Sequence, residues 1–165
     1  MTDNKYSAHL SKALSPQRAK ALRLVADRQD RARLMMSLFK DQIVPEVKAL
    51  AKAVEGYGIE TKIRVIDGKM PDRKPPSATN REPVQYPEVR FRSVSNLIGE
   101  RGSFIECGVH DDFTVIKLIL QPSAGPVGAL QPPEVVSTSH DGFSSDWLEG
   151  HLKRFVTDVL RSGEQ

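Results

Sequence analysis

The chain is poor in the residues that build most catalytic and metal centres. Its 165 residues include one cysteine, four histidines and one tryptophan. With Cys107 alone, neither an internal disulfide nor a CxxC metal site can form, and a cytoplasmic setting is the expectation. No apolar run approaches the ~20 residues a membrane span needs, so no membrane contact is expected. The opening stretch MTDNKYSAHLSK has no apolar core of a secretory signal. The tetrapeptide Gly99-Glu100-Arg101-Gly102 is too short to cradle a phosphate, and no P-loop glycine-lysine-hydroxyl run follows it. No cofactor is expected.

Charge is present but unevenly spread. The chain carries a net +3. Residues 1–40 hold nine Lys and Arg against Asp3, Asp27 and Asp30, a local surplus of six, so the remainder is mildly acidic. A basic arm on an acidic body would attract nucleic acid, an acidic protein, or the body of a second copy.

Most of the helical signal lies in one stretch, Ser15 to Val54. Tyr6, Leu10 and Leu14 recur every fourth residue and predict a short frayed helix before it. Ser15-Pro16 then reads as a start: serine caps free N–H groups and proline at the first helical position loses no needed donor. Leu22, Val25, Ala32, Met36, Phe39 and Ile43, with Gln29 in one seam position, give about three heptads, the minimum for a coiled coil. Asp27 with Arg31, and Asp30 with Arg33, are spaced to pair along the helix surface. From Leu34 onward apolar side chains point nearly all round the axis, so this stretch needs cover on more than one side. Pro45 removes a hydrogen bond to Asp41 and predicts a kink near Val44. The apolar seam slips by one residue there, and Gly56-Tyr57-Gly58 ends the helix.

The period then changes to two. Strands are predicted at 59–66, 88–94, 103–109, 113–121 and 134–139, with turns at His110-Asp111-Asp112 and His140-Asp141-Gly142. Residues 67–87 and 122–133 are proline-rich loops. Ser144 caps a last helix whose apolar arc is Trp147, Leu148, Leu152, Phe155, Val156, Val159 and Leu160. The fold class is therefore α+β: a long N-terminal helix kinked near Pro45, a four- to five-stranded antiparallel sheet, and a C-terminal amphipathic helix packed on it. Residues 1–56 form an N-terminal helical arm suited to oligomerisation. Residues 57–165 form the α+β body, with the proline-rich loop at 67–87.

Three functional readings follow. The leading one is a non-enzymatic interaction protein, a homodimer or an adaptor for a protein partner. Met35, Met36, Phe39, Ile43, Val47, Leu50 and Val54 would form its interface, because they present more apolar surface than a small sheet can cover. The second is nucleic-acid binding by Arg18, Arg23, Arg28, Arg31 and Arg33, tracking phosphates without reading bases. A basic sheet face built from Lys62, Arg64, Arg90 and Arg92 is disfavoured for base stacking, because Phe91 alternates away from these arginines. The third is a metal-dependent enzyme or ligand binder, if the turns bring His110, Asp112 and His140 together. Asp, His and Gly are also ordinary turn residues, and no ligand spacing supports a metal. Cys107 and His110 lie three apart on one strand and so face opposite ways.

Overall fold

The computed structural model describes residues 5–73, 83–93, 103–121 and 132–163. Residues 74–82 of the predicted loop at 67–87, residues 122–131 of the one at 122–133, and residues 94–102 with Gly99–Gly102, lie outside the described residues. The observed class is α+β. Helix α1 (Lys5–Leu38) runs into a π-helical turn (Phe39–Ile43) and then into α2 (Val44–Glu55). Five strands follow, β1 (Thr61–Ile66), β2 (Glu88–Ser93), β3 (Phe104–His110), β4 (Val115–Gln121) and β5 (Glu134–Ser139), and helix α3 (Ser145–Gly163) closes the order.

The helix does not begin at Ser15. It runs continuously from Lys5 with Pro16 inside it. Proline deprives only the Lys12 carbonyl of its partner, and since residues 12–20 are all exposed, water can serve that carbonyl. At the second proline the disturbance takes the form of one π turn, in which the Val44 N–H donates to the Phe39 carbonyl. The wider turn gives the Pro45 ring room against the carbonyl of residue 41 and inserts one extra residue into the helical phase. That insertion absorbs the slip in the apolar seam: Ala32, Met35, Phe39, Ile43, Val47, Ala51 and Val54 all face one core.

The strands pair in sequence order as an antiparallel meander. Period-two alternation separates the two faces. Val89, Phe91, Ile105, Cys107, Val109, Ile116, Leu118 and Leu120 are buried on one of them. The helices pack on that face: α2 lies against β1 and β2, and Phe155 of α3 meets Phe91 edge-on at 6.4 Å. Leu148, Leu152 and Phe155 are buried, with Trp147 and Val156 packed at the margin; the side chains of Val159 and Leu160 lie outside the described residues. Ser144 caps α3 as its sequence position predicts, its Oγ accepting from the Trp147 N–H at 3.1 Å.

The β3–β4 connection is a four-residue turn, Asp111 to Thr114, between the paired His110 and Val115. Asp111, Asp112 and Phe113 all have positive φ, and the Thr114 N–H donates to the His110 carbonyl. Tertiary contacts hold it: Phe113 is buried and packs edge-on against Tyr86 at 5.0 Å, and the Tyr86 hydroxyl accepts from the Asp112 N–H. The described ends of the 67–87 loop are also anchored. The Lys69 N–H donates to the Gln85 carbonyl at 2.8 Å, and the Pro71 carbonyl accepts from Gln29 of α1. No described helix is long and apolar enough to cross a membrane.

From residue 5 to 55 the helical rod measures about 75 Å at ~1.5 Å per residue. A globule of the body's ~110 residues has a radius of gyration near 13 Å, a diameter of about 35 Å. The rod is thus about twice as long as the body beneath it, and its first turns extend beyond the core. Every residue from Lys12 to Lys20 is exposed, whereas Ala32 onward contributes to the core.

Candidate interaction surfaces

The seven residues predicted for an interface are housed largely within the chain itself. Met35, Phe39, Ile43, Val47 and Val54 are buried, and Met36 and Leu50 are half-buried against the same core. The apolar surplus expected at residues 35–54 is covered by the sheet and α3. Unsheltered apolar surface lies upstream. Leu14, Leu22 and Leu24 are 47%, 64% and 60% exposed on α1. Leu14, Ala21, Leu22 and Val25 follow the i, i+7, i+8, i+11 spacing of one helix face. This row lines up with the row that becomes buried at Ala32, so an inward-facing stripe continues past the edge of its cover.

The basic residues of α1 divide into two sets. Arg28 Nε and Arg31 Nη2 both donate to Asp112 in the β3–β4 turn, at 2.5 and 3.1 Å. Arg33 pairs with Asp30 at 2.9 Å, as its spacing predicts, whereas Arg31 takes Asp112 rather than Asp27. Arg18 and Arg23 have no ion pair among the described residues. Three of the five arginines proposed for phosphate are therefore matched to carboxylates inside the chain, which leaves an arm end with Lys12, Arg18, Lys20 and Arg23.

The two histidine turns do lie at one end of the sheet. His110 is opposite Val115, Val115 is opposite Ser139, and His140 follows. Asp112, however, has both carboxylate oxygens engaged by arginine, and His140 sits with Asp141 at 3.5 Å. Among the described residues no three His, Cys, Asp or Glu side chains converge on a common point. Cys107 lies on the covered face, where burial pushes its thiol up to about 12, well away from the reactive thiolate range.

The sheet face that no described helix covers is a surface that single strands do not reveal. Pairing sets its residues in transverse rows. One row runs Lys62, Arg92, Phe104, Gln121, and the next Arg64, Arg90, Glu106, Ile119, Val135. Phe91 does point away, but β3 places Phe104 directly beside Arg92, so the basic face has an aromatic ring. Within one strand no signal marks this; the order and register of β2 and β3 are needed. Lys62 stands opposite Arg92 and Arg64 opposite Arg90, arrangements that destabilise a sheet unless something compensates. Arg90 is compensated by Glu88 and by Glu106 at 3.3 Å. Lys62, Arg64 and Arg92 have no ion pair among the described residues.

Comparison with protein-family models, with curated proteins and with solved structures finds no match. Both candidate surfaces, the overhanging arm and the uncovered sheet face, rest on their own chemistry.

Proposed function

We propose that this chain is a non-enzymatic interaction protein of the cytoplasm that self-associates through the free end of its long helix. The observation behind this reading is the exposed row around Leu14 and Leu22, on a stretch of α1 where every residue from Lys12 to Lys20 is exposed. Helices in proteins draw most of their stability from packing of an apolar face, and this overhanging stretch packs on no described core residue. Fully burying a leucine side chain contributes about 1.5–3 kcal/mol relative to leaving it in water. Charge selects the occupant. The first 40 residues carry a surplus of six positive charges and the remainder a deficit of three, so the arm of one copy is drawn to the body of another, not to a second basic arm.

Light scattering coupled to size-exclusion chromatography tests the reading. The expected outcome is a dimer at micromolar concentration, reduced to monomer by Leu14→Glu with Leu22→Glu and weakened by salt. A strictly monomeric wild-type chain at those concentrations would refute self-association.

A further inference from the structure

We propose that the sheet face left open by the described helices is a binding platform for single-stranded nucleic acid, a site separate from the helical arm. Three features of the face point to this ligand together. The first is charge. Lys62, Arg64, Arg90, Arg92 and Lys117 oppose Glu88 and Glu106, a net of +3 on one face. Glu88 and Glu106 are both engaged by Arg90. Lys62, Arg64 and Arg92 therefore have their charge uncompensated by any described residue, and each stands directly opposite another cation. A polyanion laid along β1 and β2 relieves that repulsion.

The second feature is the ring of Phe104. Half-buried, it occupies the row of Lys62 and stands opposite Arg92 in register, so one nucleotide can place its phosphate over β1 and β2 and its base over β3. A base stacks on an aromatic face without regard to its identity, and guanidinium planes extend the same surface. An acidic peptide would neutralise the cations but give the ring no comparable partner. A duplex hides its base faces, and with them the use of Phe104.

The third is shape. The described helices lie on the opposite side, and five adjacent strands present a face about 19 Å across at ~4.8 Å per gap. Ile119 and the exposed Val135 continue it as an apolar floor beyond Glu106. The surface is thus most basic over β1 and β2 and more apolar over β4 and β5, where Lys117 is the one cation, which matches the polarity of a nucleotide strand from backbone to base.

Fluorescence anisotropy of the full chain with labelled 15-nucleotide RNA and DNA of mixed sequence tests the site. Binding is expected at low salt, with a log–log salt slope of about −2 from three phosphate contacts on a single strand. Arg64→Glu with Arg92→Glu should abolish it, and Phe104→Ala should weaken it roughly 5- to 150-fold, the range of one stacked base. Circular dichroism checks that each variant folds; if the alanine variant does not, Phe104→Leu, which keeps volume and loses the ring, takes its place. A preference for RNA or for DNA supports the site and identifies the sugar. The proposal is overturned if neither oligonucleotide binds at low salt, or if a duplex binds as tightly as a single strand. It is equally overturned if Arg18→Glu with Arg23→Glu removes binding while the sheet variants retain it, or if only a polyglutamate peptide binds.

Discussion

Asp112 offers the sharpest test of how the arm is held. Its carboxylate receives Arg28 and Arg31 of α1, and its backbone sits at φ 57° in a turn of three left-handed residues. The side chains involved are between a quarter and nearly half exposed, so solvent screening limits each pair to about 0.2–1 kcal/mol and the two together to roughly 0.5–2 kcal/mol. Asp112→Asn would lose the charge and keep a side chain that tolerates the left-handed region. Asp112→Ala would lose the charge and add about 1–2 kcal/mol of backbone strain. Asp112→Gly would lose the charge with no such strain. The expected order of stability is therefore wild type, then Asp112→Asn or Asp112→Gly, then Asp112→Ala. In urea, where m is about 1–3 kcal/mol/M, Asp112→Asn should lower the midpoint by roughly 0.2–2 M, and less at high salt. A cycle combining Asp112→Asn with Arg28→Ala and Arg31→Ala assigns the share of each arginine. If Asp112→Asn matches wild type at low salt, the clasp contributes nothing; if Asp112→Ala equals Asp112→Asn, the turn stores no strain at this residue.

Other perturbations address the core, the loop and the thiol. Ile43→Ala, at a fully buried position in the π turn, should cost about 2–5 kcal/mol in chemical denaturation. Gly68→Ala should destabilise as well, because φ is +73° and an added Cβ would lie 2.6 Å from the Pro87 nitrogen; an unchanged melting temperature would contradict that geometry. Burial holds the Cys107 thiol protonated up to about 12, against 9.0 for the free group. Its contribution is thus fully present below pH 9 and is lost as pH rises toward 12, because the unfolded chain ionises first. Stability should fall by about 1.4 kcal/mol per pH unit in that window relative to Cys107→Ala. Parallel pH profiles for the two proteins would contradict it.

The sheet was readable because alternation is a local property. Five runs such as IETKIRVI and FTVIKLIL predict strands within two residues of their observed bounds. The C-terminal helix was readable for a similar reason: Ser144, Asp146 and the arc from Trp147 to Val156 agree with one another. Pro16 was not, since a proline can begin a helix or interrupt one, and only the exposure of the neighbouring backbone separates the cases. Periodicity showed that residues 35–54 are apolar but not whose surface covers them. Likewise Arg31 could be matched to Asp27 by spacing, while its actual partner, Asp112, is 81 residues away in the chain. Phe104 carries no mark of its own, because its neighbour Arg92 comes from another strand. What a sequence encodes between elements, through register and docking, is not visible within any one of them.

The unbroken rod has a mechanical consequence. Helical backbone continues through both Pro16 and the π turn, so no non-helical linker separates its tip from the sheet. From residue 12 to residue 28 it spans about 24 Å. Whatever is seated at the tip is therefore joined to α2 and the strands by helix alone, at a distance counted in helical turns and not in loop residues.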